Sequence, residues 1–121
     1  MIDAEDLKQG ILDWAQKEHP VKSKYHSFEN PLSEALYWLD EHVGYGHGTV
    51  TLPSGVNLHG ADHFGGEDQG SNYWFIVKTD NDEQFFQIAG SYNSWDGVSF
   101  DYASIFEVEP FEVTVTQYRR K

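Results

Sequence analysis

"NYWFIVKTDNDEQFFQIAG", residues 72 to 90, decides the fold class. Every residue from Tyr73 to Val77 is aromatic or β-branched, which suits a pleated surface better than a helix face. Alternation puts Tyr73, Phe75 and Val77 on one side and Trp74, Ile76 and Lys78 on the other. Asp80-Asn81-Asp82 is a polar turn, and "EQFFQIAG" (83–90) runs back from it. The stretch therefore predicts an antiparallel hairpin.

Working outward, the period of two persists on both sides. "HGTVTL" (47–52) and "GVNLHGADHF" (55–64) read as strands around the turn Pro53-Ser54-Gly55. "GGEDQG" (65–70) reads as the corner that delivers the chain into the next strand. Downstream, "SIFEVE" (104–109) and "FEVTVTQY" (111–118) read as strands split by Pro110, which fits an edge or a bulge but not the inside of a ladder. Before Gly46 the period is helical. Asp3 caps a first helix with Asp6 three residues on, Leu7, Ile11, Trp14 and Ala15 form its apolar face, and His19-Pro20 ends it. Asn30-Pro31 opens a second helix that buries Leu32, Ala35, Leu36, Leu39 and Val43 and stops at Gly44. The expectation is an α+β fold in a single domain of residues 1–121, helical over 1–45 and β-rich over 46–121. Two N-terminal helices pack on a largely antiparallel, twisted β-sheet of five to six strands.

At 121 residues with 39% hydrophobic and 16% aromatic content, the chain can bury a core, and global disorder is excluded. No apolar run approaches the length of a membrane span. The opening "MIDAEDLKQG" is acidic and lacks an apolar signal region, so a cytoplasmic protein is expected. The absence of cysteine removes disulfides, thiolate metal sites and cysteine nucleophiles together.

Charge is distributed unevenly. Twenty acids against eight bases give a net charge of −12. The bases stand near the ends, at Lys8, Lys17, Lys22 and Lys24 and then at Arg119, Arg120 and Lys121. From Tyr25 to Tyr118 fifteen acids face one base, Lys78, a net charge of −14. Solubility alone would ask for such a charge, but a field of this sign also repels nucleic acid and anionic membranes and attracts basic protein surfaces. The expected partner is a basic host protein, with no direct contact to nucleic acid or membrane. The oligomeric state stays open.

The second half resembles small phage proteins of actinobacteria to which no chemistry is assigned. The resemblance rests on the acidic turn Gly65-Gly66-Glu67-Asp68-Gln69-Gly70, the strand Trp74 to Val77, the pair Phe85-Phe86, and the segment Gly90, Tyr92, Asp96, Gly97. It continues through Glu107-Val108-x-Pro110 to Val113-Thr114-Val115-Thr116-x-Tyr118, covering roughly residues 56–118. It implies a mobile-element origin, a compact sheet and a life in the host cytoplasm, and it supplies no catalytic residue. Arg119-Arg120-Lys121 departs from the acidic endings of that group.

Several constellations could carry chemistry. "HGADHFGGED" gathers His59, Asp62, His63, Glu67 and Asp68, ligand types that suit zinc, manganese or iron(II). Gly60, Gly65 and Gly66 argue against a helix there, and on a strand His59 and His63 would share a face roughly 13 Å apart, too far for one ion. Only a folded-back loop would make a metal site, so no cofactor is expected, with a metal at His59 and His63 as the alternative. A phosphate cradle at Gly65–Gly70 is unfavourable because Glu67 and Asp68 stand where the anion would go. The ligand pattern of a calcium loop is missing. Nucleophilic catalysis has no anchor, and in a chain with twenty acids carboxylate pairs such as Asp96 with Asp101 arise by chance. In "GSYNSWDGVSFDY" (90–102), Tyr92 and Trp95 are aromatic contact candidates, for a protein or a sugar.

The acids offer the most consistent reading. Candidate contact residues are Glu67, Asp68, Asp80, Asp82, Glu83, Asp96, Asp101, Glu107 and Glu109. As alternate strand residues, Glu107 and Glu109 would lie roughly 7 Å apart on one face. Asp40 and Glu41 close the second helix against its dipole, which points to an external use. The function expected is a non-enzymatic binding protein that presents carboxylates to a nucleic-acid-binding host protein, as an inhibitor imitating nucleic acid. A small metal-dependent hydrolase at His59 and His63, or a ligand-binding module at Tyr92 and Trp95, is the alternative.

Overall fold

In the computed structural model, which describes residues 1–18, 30–44, 48–66, 70–80, 84–95 and 97–121, Asp3 opens the first helix as expected. Its Oδ1 accepts the Asp6 backbone N–H at 2.8 Å. Helix α1 (Ala4–Glu18) then buries Leu7, Ile11, Trp14 and Ala15 along one side. Its expected stop at His19-Pro20 lies outside the described residues. Helix α2 (Pro31–Leu39) starts at a reciprocal cap: Ser33 N–H donates to Asn30 Oδ1 at 2.9 Å, and Asn30 N–H donates to Ser33 Oγ at 3.2 Å. The chain does not stop at Leu39 but runs through a π-helical turn, Asp40–Gly44. Ala35, Leu36, Leu39 and Val43 are buried, while Leu32 is only half-buried.

Five strands follow: β1 (Thr49–Thr51), β2 (Asn57–Gly65), β3 (Asn72–Thr79), β4 (Phe85–Asn93) and β5 (Gly97–Val108). They lie side by side in sequence order, every neighbour antiparallel. The expected hairpin is present, with Asn72 opposite Ser91 and Lys78 opposite Phe85. Tyr73, Phe75, Val77 and Thr79 are buried, and Trp74, Ile76 and Lys78 are partly exposed. The helices cover the first of these faces, so Leu7, Ile11, Leu36, Leu39 and Val43 share one core with Leu58, Phe75, Val77, Phe86 and Ile88. The other face carries no helix among the described residues. No helix among the described residues is long and apolar enough to cross a membrane.

The last part of the sheet departs from the sequence reading. Residues 97–102, read as part of an aromatic binding segment, belong to the first half of β5. Ser91 pairs with Ser99 and Ala89 with Ser104, so β5 carries extra residues between those two points. This bulge turns Phe100 into the core, edge-on to Tyr73 and Phe75 at 5.9 and 5.8 Å between ring centres. Tyr102, with φ of 60°, points outward. "FEVTVTQY" is not a sixth strand: residues 109–121 carry no ladder and are exposed throughout. The reason is local. A two-residue hairpin turn needs positive φ at its first position, whereas Pro110 fixes its own φ at about −65° and pushes Glu109 into extended backbone.

Removing the Phe75 ring should cost about 3–5 kcal/mol, and losing the Asn30 cap about 1 kcal/mol. Urea denaturation of Phe75→Ala and Asn30→Ala should rank them in that order, with far-ultraviolet dichroism of the folded baselines unchanged.

Candidate functional site

Asp40 belongs to the apolar stripe of its helix. Leu36, Leu39, Asp40 and Val43 stand at i, i+3, i+4 and i+7, the spacing of a single buried face. The carboxylate is 3% exposed and does not meet the outside, which overturns the reading of Asp40 as an externally directed acid. Its Oδ2 accepts the Tyr73 hydroxyl at 2.6 Å. Its Oδ1 has no hydrogen-bond partner among the described residues and rests against Gly44, where a Cβ would overlap it. A Cβ at Gly60 would overlap the Val43 carbonyl in the same way, so two glycines let the turn press onto β2. Burial raises the Asp40 pKa to about 6, the Tyr73 hydrogen bond pulls it down, and the neighbouring Glu41 charge pushes it up.

Tyr73 carries one hydroxyl proton and gives it to Asp40. Its contact with His63 Nε2 at 2.8 Å therefore requires the imidazole to donate, which assigns the Nε2–H form of that ring. The ring lies edge-on to Tyr73 at 5.0 Å. A chain of hydrogen bonds thus runs from half-exposed His63 through buried Tyr73 to Asp40. It can hold a proton inside the fold at near-neutral pH.

On the open face a second network crosses three strands. Thr49 Oγ1 lies 2.9 Å from His59 Nδ1, and His59 Nε2 closes on Asp80 Oδ1. Asn57 donates to Asp80 Oδ2 at 2.6 Å and accepts from Thr51 Oγ1 at 2.6 Å. The hydrogen bond from Asn57 and then that from His59 hold the Asp80 pKa below the usual carboxylate range. These residues bind β1, β2 and the end of β3 to one another.

His59 and His63 do not share a face. His59 stands opposite Lys78 and His63 opposite Phe75, because one extra residue between Gly60 and Asp62 shifts the register. One imidazole faces outward and the other inward. Among the described residues no three His, Asp or Glu side chains gather closely enough to hold an ion. His59 and His63 therefore do not stand together as ligands of a single ion.

Of the acids read as contact residues, Asp80, Glu107 and Glu109 come to the same end of the sheet, where β3 ends, β4 begins and β5 runs out. Asp101 lies in the β5 bulge, away from them. Glu67, Asp68, Asp82, Glu83 and Asp96 lie outside the described residues. Glu107 and Glu109 are not alternate residues of one strand, since β5 ends at Val108. Tyr92 packs partly against the core, while Trp95 is 92% exposed.

A groove of about 480 Å³, with no signature in the sequence, lies on the open face. Ile76, Phe85, Val108 and Phe111 form its apolar wall, and Asp62 and Glu109 also line it. Beside it Phe64 stacks on Trp74 at 5.6 Å. Comparison with protein-family models, with curated proteins and with solved structures finds no match to this chain.

The Asp40 carboxyl holds its proton more tightly folded, near pH 6, than at its ordinary 3.8. Between those values the folded chain keeps a proton that the unfolded chain has lost, so this group's contribution falls as pH rises. The full penalty, about 3 kcal/mol, is present above pH 6. Asp40→Asn should therefore gain on the native chain as pH is raised from 4 to 7 in urea melts. Tyr73→Phe, which removes the one hydrogen bond favouring the charged form, should deepen the native chain's dependence.

Proposed function

We propose that this chain is a small acidic, non-enzymatic binding protein that engages a basic protein surface of the kind that handles nucleic acid, and inhibits it by imitating nucleic acid. The observation that carries this reading is the open-face groove, with apolar walls at Ile76, Phe85 and Val108 and carboxylates at Asp62 and Glu109. A lysine or arginine side chain has the complementary form, an apolar stem with a cationic head. The Phe64–Trp74 stack beside it adds ring faces that attract cations. The net charge of −14 between Tyr25 and Tyr118 would steer a basic surface toward this face. Asp80, tied to His59 and Asn57, keeps its charge at the same end of the sheet as Glu109. On the resemblance to phage proteins, the partner is a host protein met in the host cytoplasm.

Immobilised protein incubated with actinobacterial lysate at low salt should retain basic nucleic-acid-binding proteins. Double-stranded DNA should displace them, and Asp62→Asn with Glu109→Gln should weaken their retention. Retention that is indifferent to DNA would remove the mimicry. The absence of any basic protein at low salt would remove the whole reading.

A further inference from the structure

The segment after β5 has the sequence pattern of a strand but no pairing neighbour. Residues 111–118 alternate Phe111, Val113 and Val115 with Glu112, Thr114 and Thr116, a β-rich pattern with no glycine or proline. Yet Phe111 is 82% exposed and Val115 66%, and the segment carries no ladder. Glu109-Pro110 keeps it from folding back on its own β5 for the turn-geometry reason given above. Among the described residues β5 is an edge strand with a partner on one side only. Beyond its bulge it offers Ala103–Val108, whereas the other edge, β1, is three residues long. An unpaired edge of that length is a template for another strand.

The geometry points to a second copy of this chain as the missing neighbour: residues 111–118 of each copy pair along the β5 edge of the other in a closed, two-fold dimer. Two further observations favour a second copy over an unrelated protein. Arg119, Arg120 and Lys121 directly follow the strand, while the body before them carries the whole excess of acid, so the charges of one copy complement those of the next. Every copy also supplies both halves of the contact, the free strand and the free edge, and mutual exchange closes the assembly where one-way donation would build open chains. This pairing uses the β5 edge, and it shares Phe111 with the groove proposed to meet the basic partner.

Sedimentation equilibrium across micromolar to near-millimolar concentrations should give a dimer whose dissociation constant rises with salt. Successive backbone N–H groups of a strand point to opposite edges, so Val113→Pro with Thr114→Pro blocks pairing in either register. That variant should be monomeric with an unchanged thermal dichroism profile in the helical bands. Charge reversal at Arg119, Arg120 and Lys121 should raise the dissociation constant at least tenfold at low salt. A chain that is monomeric throughout overturns the proposal, as does a dimer that survives the double proline variant. Stoichiometric heterodimers with a lysate protein while the purified chain stays monomeric would also overturn it.

Discussion

The hydrogen bond from Tyr73 to Asp40 joins the two layers of this molecule at a point where water cannot substitute for either group. Hydrophobic burial holds the helices over the sheet but leaves their position free to slide. A carboxylate buried at the turn after α2 removes that freedom, because the hydroxyl on β3 is the donor it has. The surrounding choices follow from it. Gly44 makes room for the carboxylate, and Gly60 lets the π-helical turn Asp40–Gly44 descend onto β2. Stability is given up at neutral pH for a defined docking of helix on sheet.

The same one-sided packing explains the outer surface. With both helices on the Tyr73–Phe75–Val77 side, Trp74, Ile76 and Phe106 keep part of their surface in water. The polar groups of that face largely pair with one another, as Thr49, His59, Asn57 and Asp80 do. What stays available is an apolar trough with carboxylates, next to a pair of stacked rings.

The fold was legible wherever one physical signal dominated. Caps at Asp3 and Asn30, helical stripes such as Leu7-Ile11-Trp14, and alternation along 73–77 each named an element and its buried side. Misreadings arose where two signals competed. The alternation of residues 111–118 announced a strand, but pairing depends on a neighbour, and Pro110 denies it the nearest one. Residues 97–102 were masked by Gly, Ser and Asp, whose turn chemistry conceals a strand that continues through a bulge. At Asp40 the charge of the side chain competes with its position in the stripe Leu36-Leu39-Asp40-Val43, and position decides its burial. The groove could not be read, because its walls come from β2, β3, β4, β5 and the segment beyond, which only the register brings together.

The extra residue at Ala61 changes the parity of β2. Ahead of it odd-numbered positions look out to solvent, as His59 does; past it odd-numbered positions look in, as His63 does. One short strand thereby serves a wet surface and a dry interior with the same kind of side chain, and its two imidazoles hold different jobs. Were the same residues paired without that bulge, unbroken alternation would exchange the two, putting Asp62 under the helices and His63 in the trough.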